Sequence, residues 1–253
     1  MTNTTEASSN WLSIEEAARY LKIGRTVLYT LARGGRIPAS KVGKKWAFEK
    51  DRLDQWARSS RSIQSFFTNI DFNIESNRAL RDPQRDGYLR TVDFFKAGKN
   101  KAIIQIPVGC GKSGLAALLP LGLAQGRVLI LAPNLPIKDS LFEAMDITNR
   151  PKCFWRKTGV LAPADMTTGP LACTLETGNV SVAEKCHIVI TNIHQLATSV
   201  EKWLNQFPGD FFDMVIVDEA HHSAASSWQV VLEKFPKAKI IHMTATPFRS
   251  ARQ

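Results

Sequence analysis

Two short stretches of this 253-residue chain carry side chains suited to a phosphorylated ligand. In Gly109-Cys110-Gly111-Lys112-Ser113, two glycines let backbone N–H groups wrap an anion. The lysine reaches phosphate oxygens, and the serine hydroxyl suits Mg²⁺. The strict spacing of such a loop asks for a glycine where this sequence has Ile106. Further on, the apolar run Met214 to Val217 ends in Asp218-Glu219. Adjacent carboxylates at a strand end supply one group to hold a metal through water and one to orient or deprotonate an attacking water. Lys112, Asp218 and Glu219 are therefore the candidate catalytic set, Gly109 to Ser113 the phosphate cradle, and Ser113 and Asp218 the metal ligands. The ligand these groups describe together is ATP with Mg²⁺.

Such residues need a rigid scaffold. From Leu80 onward, Ala102 to Ile106, Val128 to Ala132, His187 to Thr191, Met214 to Asp218 and Ile240 to Thr244 are short apolar runs separated by helix-length segments. This is the pattern of βα units and of a mostly parallel sheet covered on both faces. The P-loop follows the first of these strands and leads into an apolar helix, Leu115 to Leu119. Residues 146–185, with Pro151, Pro163, Gly169, Pro170 and Gly178, exceed a simple βα connection and receive no chemistry, although Phe154 to Lys157 mix aromatic and basic groups.

Ahead of this scaffold, Ser13-Ile14-Glu15-Glu16 has capping-box spacing, and Ile14, Ala17, Ala18 and Leu21 recur at helical intervals. Gly24 makes a turn, and Arg25 to Arg33 forms a second helix closed by Gly34-Gly35. Ala39 to Val42 and Trp46 to Phe48 read as two strands with Gly43-Lys44-Lys45 at their tip, followed by a last helix that Asp51 can cap. The segment from Trp11 to Arg61 carries twelve Lys/Arg against five acids, a net +7 out of +10 for the whole chain, which favours a polyanionic partner.

The remaining composition narrows the setting. Residues 1–10 are polar and read as a disordered start without a signal peptide, and no apolar stretch reaches the length of a membrane span. Cys110, Cys153, Cys173 and Cys186 form no CxxC pair, so a reduced, cytoplasmic setting is expected; a zinc site from Cys153, Cys173, Cys186 and His187 fits no compact ligand spacing. The domain boundaries expected are 11–60, a polar linker at 61–79 and 80–253.

Two resemblances rest on these motifs. The stretch LSIEEAARYLKIGRTVLYTLARGGRIPASKVGKKWAFEKDRLDQWA resembles excisionase-type, MerR-like winged helix-turn-helix domains. That likeness implies DNA contact by Arg25, Thr26, Tyr29, Thr30 and Arg33 in the major groove and by Lys44 and Lys45 at phosphate. From Leu80 on, the chain resembles DEAD/DEAH-type superfamily 2 helicases, close to restriction-enzyme helicase subunits, through IPVGCGKS, LAPN (131–134), ITNIHQL (190–196), VDEAHH and MTATPFR (243–249). This resemblance implies a RecA-like fold. It implies adenine recognition by Gln84, nucleic-acid contact by Asn134 and Thr191, and coupling of nucleotide to strand by His221, Thr244 and Thr246. It also implies a second RecA-like lobe, expected to be absent here, so that this chain hydrolyses ATP weakly unless a second protein completes it. The competing reading is a non-enzymatic DNA-binding regulator whose nucleotide domain is a remnant or a switch. A metabolic P-loop kinase would share Lys112 and Ser113 but not Asp218-Glu219-Ala220-His221 or Thr244-Ala245-Thr246.

Overall fold

The computed structural model describes residues 10–21, 24–33, 37–59, 66–175, 180–192, 204–219 and 225–245. The chain divides into two compact units, Met1–Arg61 and Ser62–Gln253.

In the first unit the capping box forms: the Ser13 N–H and hydroxyl both donate to Glu16 Oε2 at 2.8 Å, and the Glu16 N–H donates to Ser13 Oγ at 3.3 Å. These bonds hold the Glu16 carboxyl below its ordinary range, the Ser13 backbone N–H contributing most. They open helix α1 (Ile14–Leu21), which Gly24 separates from α2 (Arg25–Arg33). A three-residue strand that the sequence pattern does not announce, β1 (Trp11–Ser13), joins β2 (Ser40–Val42) and β3 (Lys45–Glu49) in a small antiparallel sheet ordered β1-β3-β2. The two-residue turn between β2 and β3 uses Gly43 at φ +61°. Asp51 falls inside the first turn of α3 (Lys50–Ser59) and accepts a hydrogen bond from Asn10, so it ties Asn10 down instead of capping the helix. Ala17, Leu28, Phe48 and Leu53 are fully buried and form the heart of this unit.

The second unit is a six-stranded, all-parallel sheet. Its strands are β4 (Lys101–Gln105), β5 (Arg127–Ala132), β6 (Ala172–Thr174), β7 (Ile188–Asn192), β8 (Phe212–Asp218) and β9 (Lys239–Thr244), ordered β4-β9-β8-β5-β7-β6. The helices are α4 (Asp82–Lys96), α5 (Lys112–Leu118), α6 (Leu135–Met145), α7 (Phe154–Thr158), α8 (Asp165–Thr168), α9 (Val180–Ala183) and α10 (Ala225–Lys234). Leu129 to Ala132, Ile188 to Ile190 and Met214 to Val217 are fully buried, as strands covered on both faces require. The long connection at 146–185 contributes α7, α8, the edge strand β6 and α9.

Within the stretch expected as a linker, residues 66–79 pack on the second unit. Phe67 and Ile74 are buried in the core of the second unit, Phe72 meets Tyr88 edge-on, and the Asn73 N–H donates to the Val160 carbonyl. This mostly polar stretch carries five large apolar side chains, Phe66, Phe67, Ile70, Phe72 and Ile74, whose burial favours ordering of the backbone.

Candidate active site

The carboxyl ends of β4, β9 and β8 lie side by side, so the segments that leave these three strands share one edge of the sheet. After β4 the chain enters the P-loop. Ile106, standing where strict spacing asks for glycine, is 2% exposed and packs into the core, while its N–H donates to the Thr244 carbonyl at 2.9 Å. The tight turning falls instead to Gly109 (φ +83°) and Gly111 (φ +90°), conformations that side chains rarely adopt. Lys112 and Ser113 then open α5.

From the end of β8, Asp218 and Glu219 reach the same place. The Lys112 ammonium donates to Glu219 Oε1 and lies 3.7 Å from Asp218 Oδ1. Glu219 has φ +52°, the one left-handed non-glycine backbone among the described residues. The conformation costs about 1–2 kcal/mol and turns the carboxylate off the strand line toward the lysine. A lysine between two carboxylates, beside a glycine turn and a serine hydroxyl, is a donor set that fits a triphosphate and its divalent metal. The ammonium meets phosphate oxygens, and hard oxygen ligands stand ready for the metal.

Gln84, 4% exposed, sits on the P-loop. Its Oε1 accepts from the Arg81 N–H at 3.1 Å and its Nε2 donates to the Gly111 carbonyl at 2.9 Å. A Cβ built on Gly111 would stand 2.3 Å from that nitrogen and would push the Gln84 amide aside, while φ +90° itself favours glycine. Arg81 also donates to the Gly109 carbonyl. Sequence reasoning passes over Arg81, although it stands three residues ahead of Gln84 at a Pro-marked helix start.

The other expected residues are more dispersed. Thr244 is 1% exposed at the end of β9 and is fixed to the P-loop entry by its carbonyl. Asn134 caps α6, its Oδ1 accepting from the Ile137 N–H at 3.0 Å, so its amide NH₂ group is the part left for outward chemistry. Thr191 is 1% exposed and its hydroxyl donates to the Leu175 carbonyl. A short polar group at that register of a strand covered on both faces is drawn into the interior. His221 and Thr246 lie outside the described residues. In the first unit, Arg25, Tyr29, Lys44 and Lys45 line one cleft of about 640 Å³ together with Trp46, and Glu15 pairs with Arg25 at 3.2 Å. Arg33 is exposed on α2; Thr26 and Thr30 lie on the same helix, their side chains outside the described residues.

Fold and site define a P-loop α/β unit of the helicase kind in a chain that also carries a helix-turn-helix unit. The chain belongs to the type III restriction enzyme res subunit family, matched over residues 77–249, and residues 11–61 match the helix-turn-helix domain family. The endonuclease subunit of the type I restriction enzyme EcoAI from Escherichia coli is 23% identical over 199 residues. That alignment takes in 76% of this chain and 22% of the relative, so this chain spans about a fifth of the relative's length. Among solved structures, the UvsW helicase of bacteriophage T4 is similar at 12% identity and a TM-score of 0.47, over 74% of this chain and 60% of that one. A fragment of a HsdR subunit of a type I restriction enzyme from Vibrio vulnificus is similar at 18% identity and a TM-score of 0.45, over 95% and 41%.

Proposed function

We propose that this chain is the ATP- and DNA-binding portion of an ATP-dependent DNA helicase or translocase. The observation that carries the reading is the meeting of Lys112 with Asp218 and Glu219 beside the glycine turn. In that reading the backbone of Gly109 to Ser113 and the Lys112 ammonium bind the β and γ phosphates. Ser113 and Asp218 hold Mg²⁺, which when bound neutralises phosphate oxygens. Lys112 exchanges Glu219 for phosphate, and Glu219 then orients the attacking water and takes its proton. Gln84 reads the adenine edge. The cleft formed by Arg25, Tyr29, Lys44, Lys45 and Trp46 takes duplex DNA, supported by its charge and exposure. An arginine supplied to the γ-phosphate by a second lobe or protein would raise turnover.

Calorimetry with ATP·Mg²⁺ tests the core of this. Wild-type protein takes up nucleotide, and Lys112→Ala lowers the affinity roughly 10- to 100-fold, the worth of charge-assisted hydrogen bonds. Equal affinity in both proteins would remove the reading. The rival reading, a DNA-binding regulator with a remnant domain, requires DNA binding and biological activity to persist in Lys112→Ala.

A further inference from the structure

Residues 146–158 bring an aromatic ring to the nucleotide site. Trp155 of α7 is fully buried and its Nε1 donates to the Ala117 carbonyl of α5 at 3.0 Å, while the Arg156 Nε donates to the Ile147 carbonyl at 2.9 Å. With α7 pinned in this way, the neighbouring Phe154 is carried to the first turn of α5. The point a Cβ would occupy on Gly114 lies 2.4 Å from Phe154 Cε2 and 2.2 Å from Gln84 Nε2. Ring and amide thus converge on one spot, directly after Lys112 and Ser113, and glycine at 114 is what leaves room for both. Phe154 is half-buried, whereas Cys153 and Trp155 on either side of it are fully buried, so it keeps an exposure that its neighbours lack. The Gln84 amide retains one N–H and one oxygen lone pair beyond the bonds it makes to Gly111 and Arg81, the pairing that the N6/N7 edge of adenine demands.

We propose that Phe154 forms the stacking wall of the nucleobase site, with Gln84 at its polar edge, so that this site takes a purine base against the ring of α7. The proposal rests on the ATP reading above, and base-free inorganic tripolyphosphate separates the two. Binding of ATP and of tripolyphosphate, each with Mg²⁺, is measured on the full chain. Wild-type protein is expected to hold ATP more tightly than tripolyphosphate. Phe154→Ala should lose about ten-fold in ATP affinity, within the range of base–aromatic stacking, with tripolyphosphate affinity unchanged; Phe154→Tyr should restore ATP binding. In Phe154→Trp, ATP but not tripolyphosphate should quench the added fluorescence, a readout independent of how the alanine variant folds. Wild-type protein that binds both ligands equally would overturn the stacking wall and leave the P-loop reading standing. So would an equal loss of both ligands in Phe154→Ala, or no loss of either. Wild-type protein that binds neither ligand would remove both readings.

Discussion

Glu219 occupies a backbone conformation that its own side chain disfavours, and its carboxylate meets the one cation that a triphosphate would also claim. A strained backbone at such a position accords with the role proposed for Glu219 at the phosphate end of the reaction. Glu219→Gln keeps the shape and removes the base. We expect ATP binding to persist and hydrolysis to fall about 10²- to 10⁴-fold, the usual contribution of a positioned general base. Single-turnover hydrolysis beside equilibrium binding checks this. A second residue, His242 on β9, affects stability instead. Burial lowers its imidazole below the ordinary value of 6.5, and the positive charge of Lys101 adds to the effect. The unfolded chain therefore takes up this proton at higher pH than the folded one, so the stability contributed by neutral His242 is present above pH 6.5 and is lost on acidification below it. Urea unfolding at pH values of about 7.5 and 5.5, on either side of the ordinary histidine range, should show wild-type protein losing more stability across that interval than His242→Gln does.

At the scale of elements, the long connection between α6 and β7 is structural as much as functional. Trp155, with its ring fully buried and its N–H bonded to α5, anchors α7. Trp155→Ala should cost about 3–5 kcal/mol, read as a lower urea midpoint, and should weaken nucleotide binding as α7 loosens. This element is not legible in the sequence, whereas β4, β5, β7, β8 and β9 are. Each of those five is a mostly apolar run, interrupted only by Gln105 before Ile106 and by His242 in β9, and leads into a recognisable motif. A five-residue helix and the three-residue strands β1 and β6 are too short to show a period. The meeting of Lys112 with Glu219 is expected from sequence because both partners lie in motifs. The approach of Phe154 to Gln84 is not, since it depends on how 146–158 folds back over α5, and no local pattern records that. A motif likewise gives the place of Thr191 along its strand, not the partner that its hydroxyl finds.

At the scale of the whole molecule, charge is divided between the units. The segment Trp11 to Arg61 holds +7 of the chain's +10, and its cleft gathers Arg25, Lys44 and Lys45 in the open. If this unit grips duplex DNA, replacing Lys44 and Lys45 together by alanine should weaken binding across sequences and reduce the slope of log affinity against log salt by about 2, one for each phosphate no longer neutralised. A wild-type affinity that ignores salt would argue for a protein partner instead. In the second unit no described helix is long and apolar enough to cross a membrane. There, β9 runs between β4 and β8, bonded to both, and the Thr244 carbonyl clasps the amide that opens the P-loop. The lysine side and the carboxylate side of the site are consequently two jaws mounted on a shared crossbar. Both are held to β9 by backbone hydrogen bonds, so spreading either wall would require bonds to that strand to stretch.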